Sequence, residues 1–209
     1  MIRDSRVMIK RIIIWVMSTV MFLAWGSVVL LLNATCERQV VKEYEVGDIV
    51  SYGQNYYEGD YEIIDGYKAQ VLTCTIYEYE NYLSQMNLSI TSDSMHSKYI
   101  YDLEICFYND ESDGERGVNL ISTYLASADN RLAINTNLLA EIYPQLGDSP
   151  TEFRIRPGTS MVMHIPFQME YVPSLYVYDE KEYLYENTFY LNVTQYPIKQ
   201  VVRISSKQA

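Results

Sequence analysis

Two hydrophobic patterns divide the chain. Residues 12–32 carry no charged side chain. As a helix rising about 1.5 Å per residue, that run reaches about 31 Å, the thickness of a bilayer's hydrocarbon core. From residue 46 onward the pattern changes to short β-branched or aromatic runs separated by Gly, Asn, Asp and Pro. The clearest alternation places Met161, Met163, Ile165 and Phe167 on one face and Val162, His164 and Pro166 on the other. Phe189, Leu191 and Val193 repeat it. Period-two alternation marks strands with one buried face, so the pattern predicts antiparallel layers packed on each other, an all-β sandwich. Strands are expected over 48–52, 66–79, 98–108, 118–126, 131–134, 152–156, 160–167, 188–194 and 199–204. Short helical turns are expected over 80–85 and 137–143, the second capped by Thr136 and stopped by Pro144.

The charges around the apolar run orient it. Arg3, Arg6, Lys10 and Arg11 precede it against one acid, Asp4, an excess that holds this end on the cytoplasmic side. The reading is therefore a cytoplasmic stretch (1–11), a transmembrane anchor (12–32), a polar stalk (33–45) and an extracytoplasmic domain (46–206). A cleaved signal peptide is the alternative, but its apolar core would be shorter, and Leu32 stands where a small residue belongs before a cut at Ala34. Lipoprotein processing at Cys36 would need a different set of preceding residues than Asn33, Ala34 and Thr35. Beyond Leu32 the chain carries a net charge of −14, which repels nucleic acid and anionic lipid.

Four segments, "VGDIVSYGQNYY" (46–57), "DGYKAQVLTCTIYEYENYL" (65–83), "RPGTSMVMHIPF" (156–167) and "YPIKQVVRI" (196–204), occur in an order that resembles the membrane-anchored or exported Ig-like β-sandwich domains of unknown function in Gram-positive Firmicutes. The resemblance implies an Ig-like antiparallel sandwich outside the membrane. It transfers no catalytic residue.

Chemistry-bearing motifs are sparse. Asn109, Glu111 and Asp113 alternate before Gly114 as in the first half of a calcium loop, but position 12 is Leu120 where an EF-hand has Glu, and a solvated turn is the competing reading. His96 and His164 are the only histidines and neither lies in a catalytic motif; His164 is expected to face solvent. Among the cysteines, Cys74 and Cys106 are the pair within strands, and Cys106 falls on the face opposite Leu103, Ile105 and Phe107, which favours free thiols over a bridge. Asn33, Asn87 and Asn192 open Asn-x-Ser/Thr triplets, read as chance matches in a bacterial chain. The 21 tyrosines are the main excess. They suit sheet packing, and they also suit a recognition surface, for which Tyr77, Tyr79, Tyr82, Tyr176, Tyr178, Tyr183 and Tyr185 are the candidates. The expectation is a membrane-anchored binding module for a protein or cell-surface glycan, without cofactor, metal, nucleic acid or catalysis. A carbohydrate-binding module using exposed tyrosines is the alternative, with a secreted hydrolase a distant third.

Overall fold

The computed structural model describes residues 2–35, 39–89, 97–111, 116–147, 149–169 and 179–205. The chain divides into two units, Met1–Arg38 and Gln39–Ala209. The first is helix α1 (Ile2–Thr35), of which Lys10–Thr35 is long and apolar enough to cross a membrane. Trp15, Met21, Phe22 and Leu31 spread apolar surface around its whole circumference, as a lipid-facing helix requires. The helix outruns the predicted 12–32 at both ends, because neither flank contains a stop signal.

The second unit is mostly β-sheet. Its elements are β1 (Val40–Glu45), β2 (Ile49–Ser51), β3 (Tyr67–Glu78), α2 (Tyr79–Gln85), β4 (Tyr99–Asn109), β5 (Val118–Asn119), β6 (Tyr124–Ala126), β7 (Arg131–Ile134), α3 (Thr136–Ile142), β8 (Glu152–Phe153), β9 (Thr159–Met169), α4 (Glu180–Glu186), β10 (Thr188–Thr194) and β11 (Ile198–Ser205). Nine strands form one sheet in the order β1-β11-β10-β6-β7-β9-β4-β3-β2, and β5 pairs with β8 in a separate ribbon. The sheet bends until its ends approach. Just past β2, Tyr56 donates its N–H to the Tyr196 carbonyl at 2.7 Å and its carbonyl accepts from the N–H groups of Gln195 and Tyr196. Gln200 on β11 also donates to the Ser51 carbonyl at 2.9 Å. The facing layers expected of a sandwich are thus two halves of one bent sheet.

The bend encloses the main core. Tyr101, Leu103, Ile105 and Phe107 of β4 point inward beside Met163, Ile165 and Phe167 of β9, with Phe189 and Leu191 of β10 and Val202 and Ile204 of β11 in the same cluster. A smaller cluster lies on the outer face, where Tyr79, Tyr82 and Leu83 of α2 pack with Ile100 and with Leu138 of α3.

Several expectations need correction. The segment assigned to a stalk contains β1, paired in parallel with β11, so the sheet is mixed and the domain begins before residue 46. An edge strand whose residues are exposed apart from half-buried Tyr44 lacks the alternation that marks a strand. The run over 118–126 breaks into β5 and β6, which join different sheets. The cap of α3 is Asn135, whose side chain accepts from the Leu138 N–H, not Thr136. The acidic segment before β10 forms α4, capped by Asp179, and it buries Tyr183 and Leu184. The cysteines, by contrast, lie on opposite faces as expected: a bulge at Leu72 shifts the register of β3 on β4, so Cys74 pairs with Leu103 on the inner face and Cys106 lies on the outer one. Both thiols are buried and free.

Candidate functional site

Among the described residues, most of the predicted tyrosine surface is packing. Tyr82 is fully buried and Tyr79 nearly so. Half-buried Tyr77 lies 5.5 Å from the Tyr82 ring. Tyr183 is buried, and its hydroxyl donates to Asp129 Oδ1 at 2.6 Å beside the Ser127 hydroxyl. Tyr185 alone of the described candidates is exposed. Tyr176 and Tyr178 lie outside the described residues, as do Asp113, His96 and Cys36. Of the calcium-loop candidates, Asn109 is buried and donates its amide to the Ile155 carbonyl at 2.7 Å, and Glu111 is exposed. No cluster of metal-ligating side chains occurs among the described residues.

The structure assembles two sites that alternation did not reveal. One is a cavity of about 520 Å³ inside the bent sheet, within the size range of small-molecule pockets. Ile105 and Phe107 of β4, Ile165 and Phe167 of β9 and Leu191 of β10 give it apolar walls. The segment after β2 adds Tyr56, Tyr57 and Tyr61, and the β5–β8 ribbon adds Val118 and Phe153. That ribbon is held close by two devices. The Tyr67 hydroxyl bonds to the backbone of Ile155 at 3.3 Å, and Gly117 passes so near the Phe153 carbonyl that a Cβ would collide with it. Burial pushes the hydroxyls of Tyr52 and Tyr57 far above the ordinary phenol range, so both stay neutral donors.

Asn192 also lines this cavity. It is 1% exposed, and neither its amide nitrogen nor its oxygen has a hydrogen-bond partner. It sits where β10 bulges against β11 between Asn192 and Thr194. The same burial closes its Asn-x-Thr triplet to a glycan. Four charged residues complete the lining: Glu62, Glu152, Arg116 and Arg154. Glu62 accepts from the N–H groups of Tyr57 and Glu58, and Glu152 accepts from the Asn119 amide. Arg116 donates to the Asp60 carbonyl, and among the described residues neither arginine meets a carboxylate.

The second site lies on the outer face. His164 on β9 places Nδ1 2.7 Å from Asp102 Oδ2, and Asp102 Oδ1 accepts from the Tyr82 hydroxyl at 3.1 Å. Asp102 is 3% exposed. The imidazole, expected in solvent, is therefore only partly exposed, because α2 brings Tyr82 over the sheet beside it. The bond to Asp102 raises the His164 pKa, burial opposes it, and the charges of Asp102 and Glu104 add to the rise. The signal for this pair was in the sequence: Asp102 and His164 both occupy polar-face positions. Their adjacency needed the β4–β9 register, which seats Glu104 opposite His164 and Asp102 opposite Pro166.

No curated protein and no solved structure matches the chain. A family model described as a domain of unknown function, DUF5028, matches residues 41–200. It covers the bent sheet from β1 into β11, including both sites, and by that match the chain belongs to the DUF5028 family.

Proposed function

We propose that the chain is a single-pass membrane protein with its N-terminus in the cytoplasm, whose DUF5028 domain lies on the extracytoplasmic side and works by binding, not catalysis. The observation that carries this reading is the Lys10–Thr35 helix, with Arg3, Arg6, Lys10 and Arg11 at its start against Asp4 alone. The strongly acidic remainder suits an exported domain kept soluble by charge. The Ig-like character and the Gram-positive cell surface follow from the sequence resemblance. Binding is supported by the cavity, which joins apolar walls to a few polar groups in the manner of ligand sites. Protease treatment of intact protoplasts tests the topology. A C-terminal epitope should be lost, and an epitope that survives refutes the exterior placement.

The glycan-binding alternative now rests on exposed tyrosines outside most of the predicted set. Tyr61, Tyr185 and Tyr196 are 59%, 42% and 47% exposed. Retention on wall polysaccharide that drops when these three are changed to alanine would favour it.

A further inference from the structure

The part of the cavity that a ligand can touch is its mouth. Phe107, Ile165, Phe167 and Leu191 form a floor that is already buried, whereas Tyr61, Arg116, Glu152 and Arg154 of the same lining are exposed. Close packing over glycine brings these side chains together. The Tyr61 ring lies against Gly59, where a Cβ would collide with it, and Tyr61 is still 59% exposed. From the ribbon, Arg116 reaches across to the carbonyl of Asp60, the residue before Tyr61, at 3.3 Å. Beside it, a Cβ on Gly117 would meet Arg154 Cγ at 2.8 Å, so the Arg154 stem lies along the ribbon backbone next to Arg116. The Tyr61 segment is fixed in advance of any ligand: Glu62 accepts from the N–H groups of Tyr57 and Glu58, and Tyr56 is bonded to the Tyr196 backbone.

The charges at the mouth narrow the class of ligand. Glu62 and Glu152 line it together with Arg116 and Arg154, and Glu58 stands with Glu62 beside Tyr61. A simple anion would gain the guanidinium groups but meet these carboxylates, and a cation would meet the reverse. A purely apolar body would strip water from both signs and return no hydrogen bond. A hydroxyl donates and accepts, so a neutral polyhydroxylated molecule satisfies both. The partners are open to it. Arg154 makes no hydrogen bond or ion pair among the described residues, and Glu62 and Glu152 each bond through one carboxylate oxygen, which leaves the other for a donor. A sugar ring adds apolar C–H faces that match the Tyr61 ring. Tyr56 stacks on Tyr196 with centroids 6.0 Å apart, and Tyr196 is exposed outside the cavity lining. The aromatic surface thus continues past the mouth, which suits several linked sugars better than one.

We propose that the cavity mouth binds a neutral oligosaccharide: one sugar ring lies on Tyr61, its hydroxyls bond to Arg116, Arg154, Glu62 and Glu152, and the chain continues along Tyr56 and Tyr196. This deepens the glycan alternative above and rests on it, but not on the topology, and it leaves Tyr185 outside the site.

The experiment is calorimetric titration of the full chain in micelles of a polyoxyethylene detergent, whose head group carries no sugar. The probes are short neutral oligosaccharides of glucose, galactose and N-acetylglucosamine, and then the best of them against its uronate and its amino-sugar counterparts. The neutral form should bind at least about tenfold more tightly than either charged one. Tyr61→Ala and the double variant Arg116→Gln/Arg154→Gln should each weaken the neutral form by about tenfold. All three side chains are exposed, so the fold should survive, as an unchanged melting temperature would show. Tyr185→Ala should bind as the parent chain does. A charged counterpart that binds as well as the neutral form overturns the proposal, and so does binding that ignores Tyr61→Ala or the double arginine variant. Binding abolished by Tyr185→Ala instead overturns this site and leaves the glycan reading standing elsewhere on the domain. No heat from any neutral probe at millimolar concentration overturns both, and leaves the membrane-anchored binding module untouched.

Discussion

The ion pair on the outer face should make the domain more stable in mild acid than in mild base. His164 holds Asp102 at 2.7 Å, and Tyr82 of α2 bonds the other carboxylate oxygen. Glu104 of β4 lies opposite His164 and adds its charge, and Tyr143 follows α3 beside the strand. The Tyr143 hydroxyl accepts the His164 backbone N–H at 2.6 Å, so the strand stays anchored when the imidazole is replaced. The folded-state pKa of His164 is raised, first by the Asp102 bond. A raised cationic pKa stabilises fully below the unfolded value of about 6.5 and loses that contribution as the pH climbs through the folded value. A hydrogen bond to a charged group is worth about 1.5–3 kcal/mol when buried. The His164 side chain is 38% exposed, so screening reduces this to about 1 kcal/mol. In a domain of this size that is about 2–4 °C in melting temperature. Melting curves of the full chain and of His164→Gln, followed by near-ultraviolet circular dichroism, should show that gap near pH 5.5 and its closure by about pH 8.5. A gap that is constant across the range would refute the linkage.

Other substitutions probe the sheet and the cavity. Phe167→Ala removes a fully buried ring between the core and the cavity wall, and urea titration should register a loss of about 3–5 kcal/mol. Gly117→Ala puts a methyl group against the Phe153 carbonyl and should cost about 1–3 kcal/mol by the same assay; an unchanged midpoint would show that the ribbon is free to shift. Without ligand, Asn192→Leu should hold or raise stability, by up to about 1–3 kcal/mol, because it removes an unpaired buried amide. In a Cys36→Ser background, Cys74 and Cys106 should react with Ellman's reagent only after unfolding. Both are buried, and burial pushes the Cys74 thiol up to about 11.

The sequence by itself determined the elements whose signal is local. A charge-free stretch of bilayer length defines α1 in any environment. Alternation of apolar residues in the sequence marks β4, β9 and β10, although covering segments bury β4 and β10 on both faces. Tertiary structure decided everything that depends on what covers a face. Tyr79 and Tyr82 are core, not surface, only because α2 folds onto the outer side of the sheet. β1 is a strand only because β11, far along the chain, pairs with it. The bulge at Leu72 moves Cys74 to the inner face, and a one-residue shift of that kind leaves no trace in composition. Asn192 alternates with Leu191 and Val193 as a solvent-facing residue would, yet the bent sheet buries it beside the cavity. Periodicity along a chain records that one side of an element is buried. Which distant segment covers it, and whether a polar group there finds a partner, is fixed only when strands far apart in sequence meet.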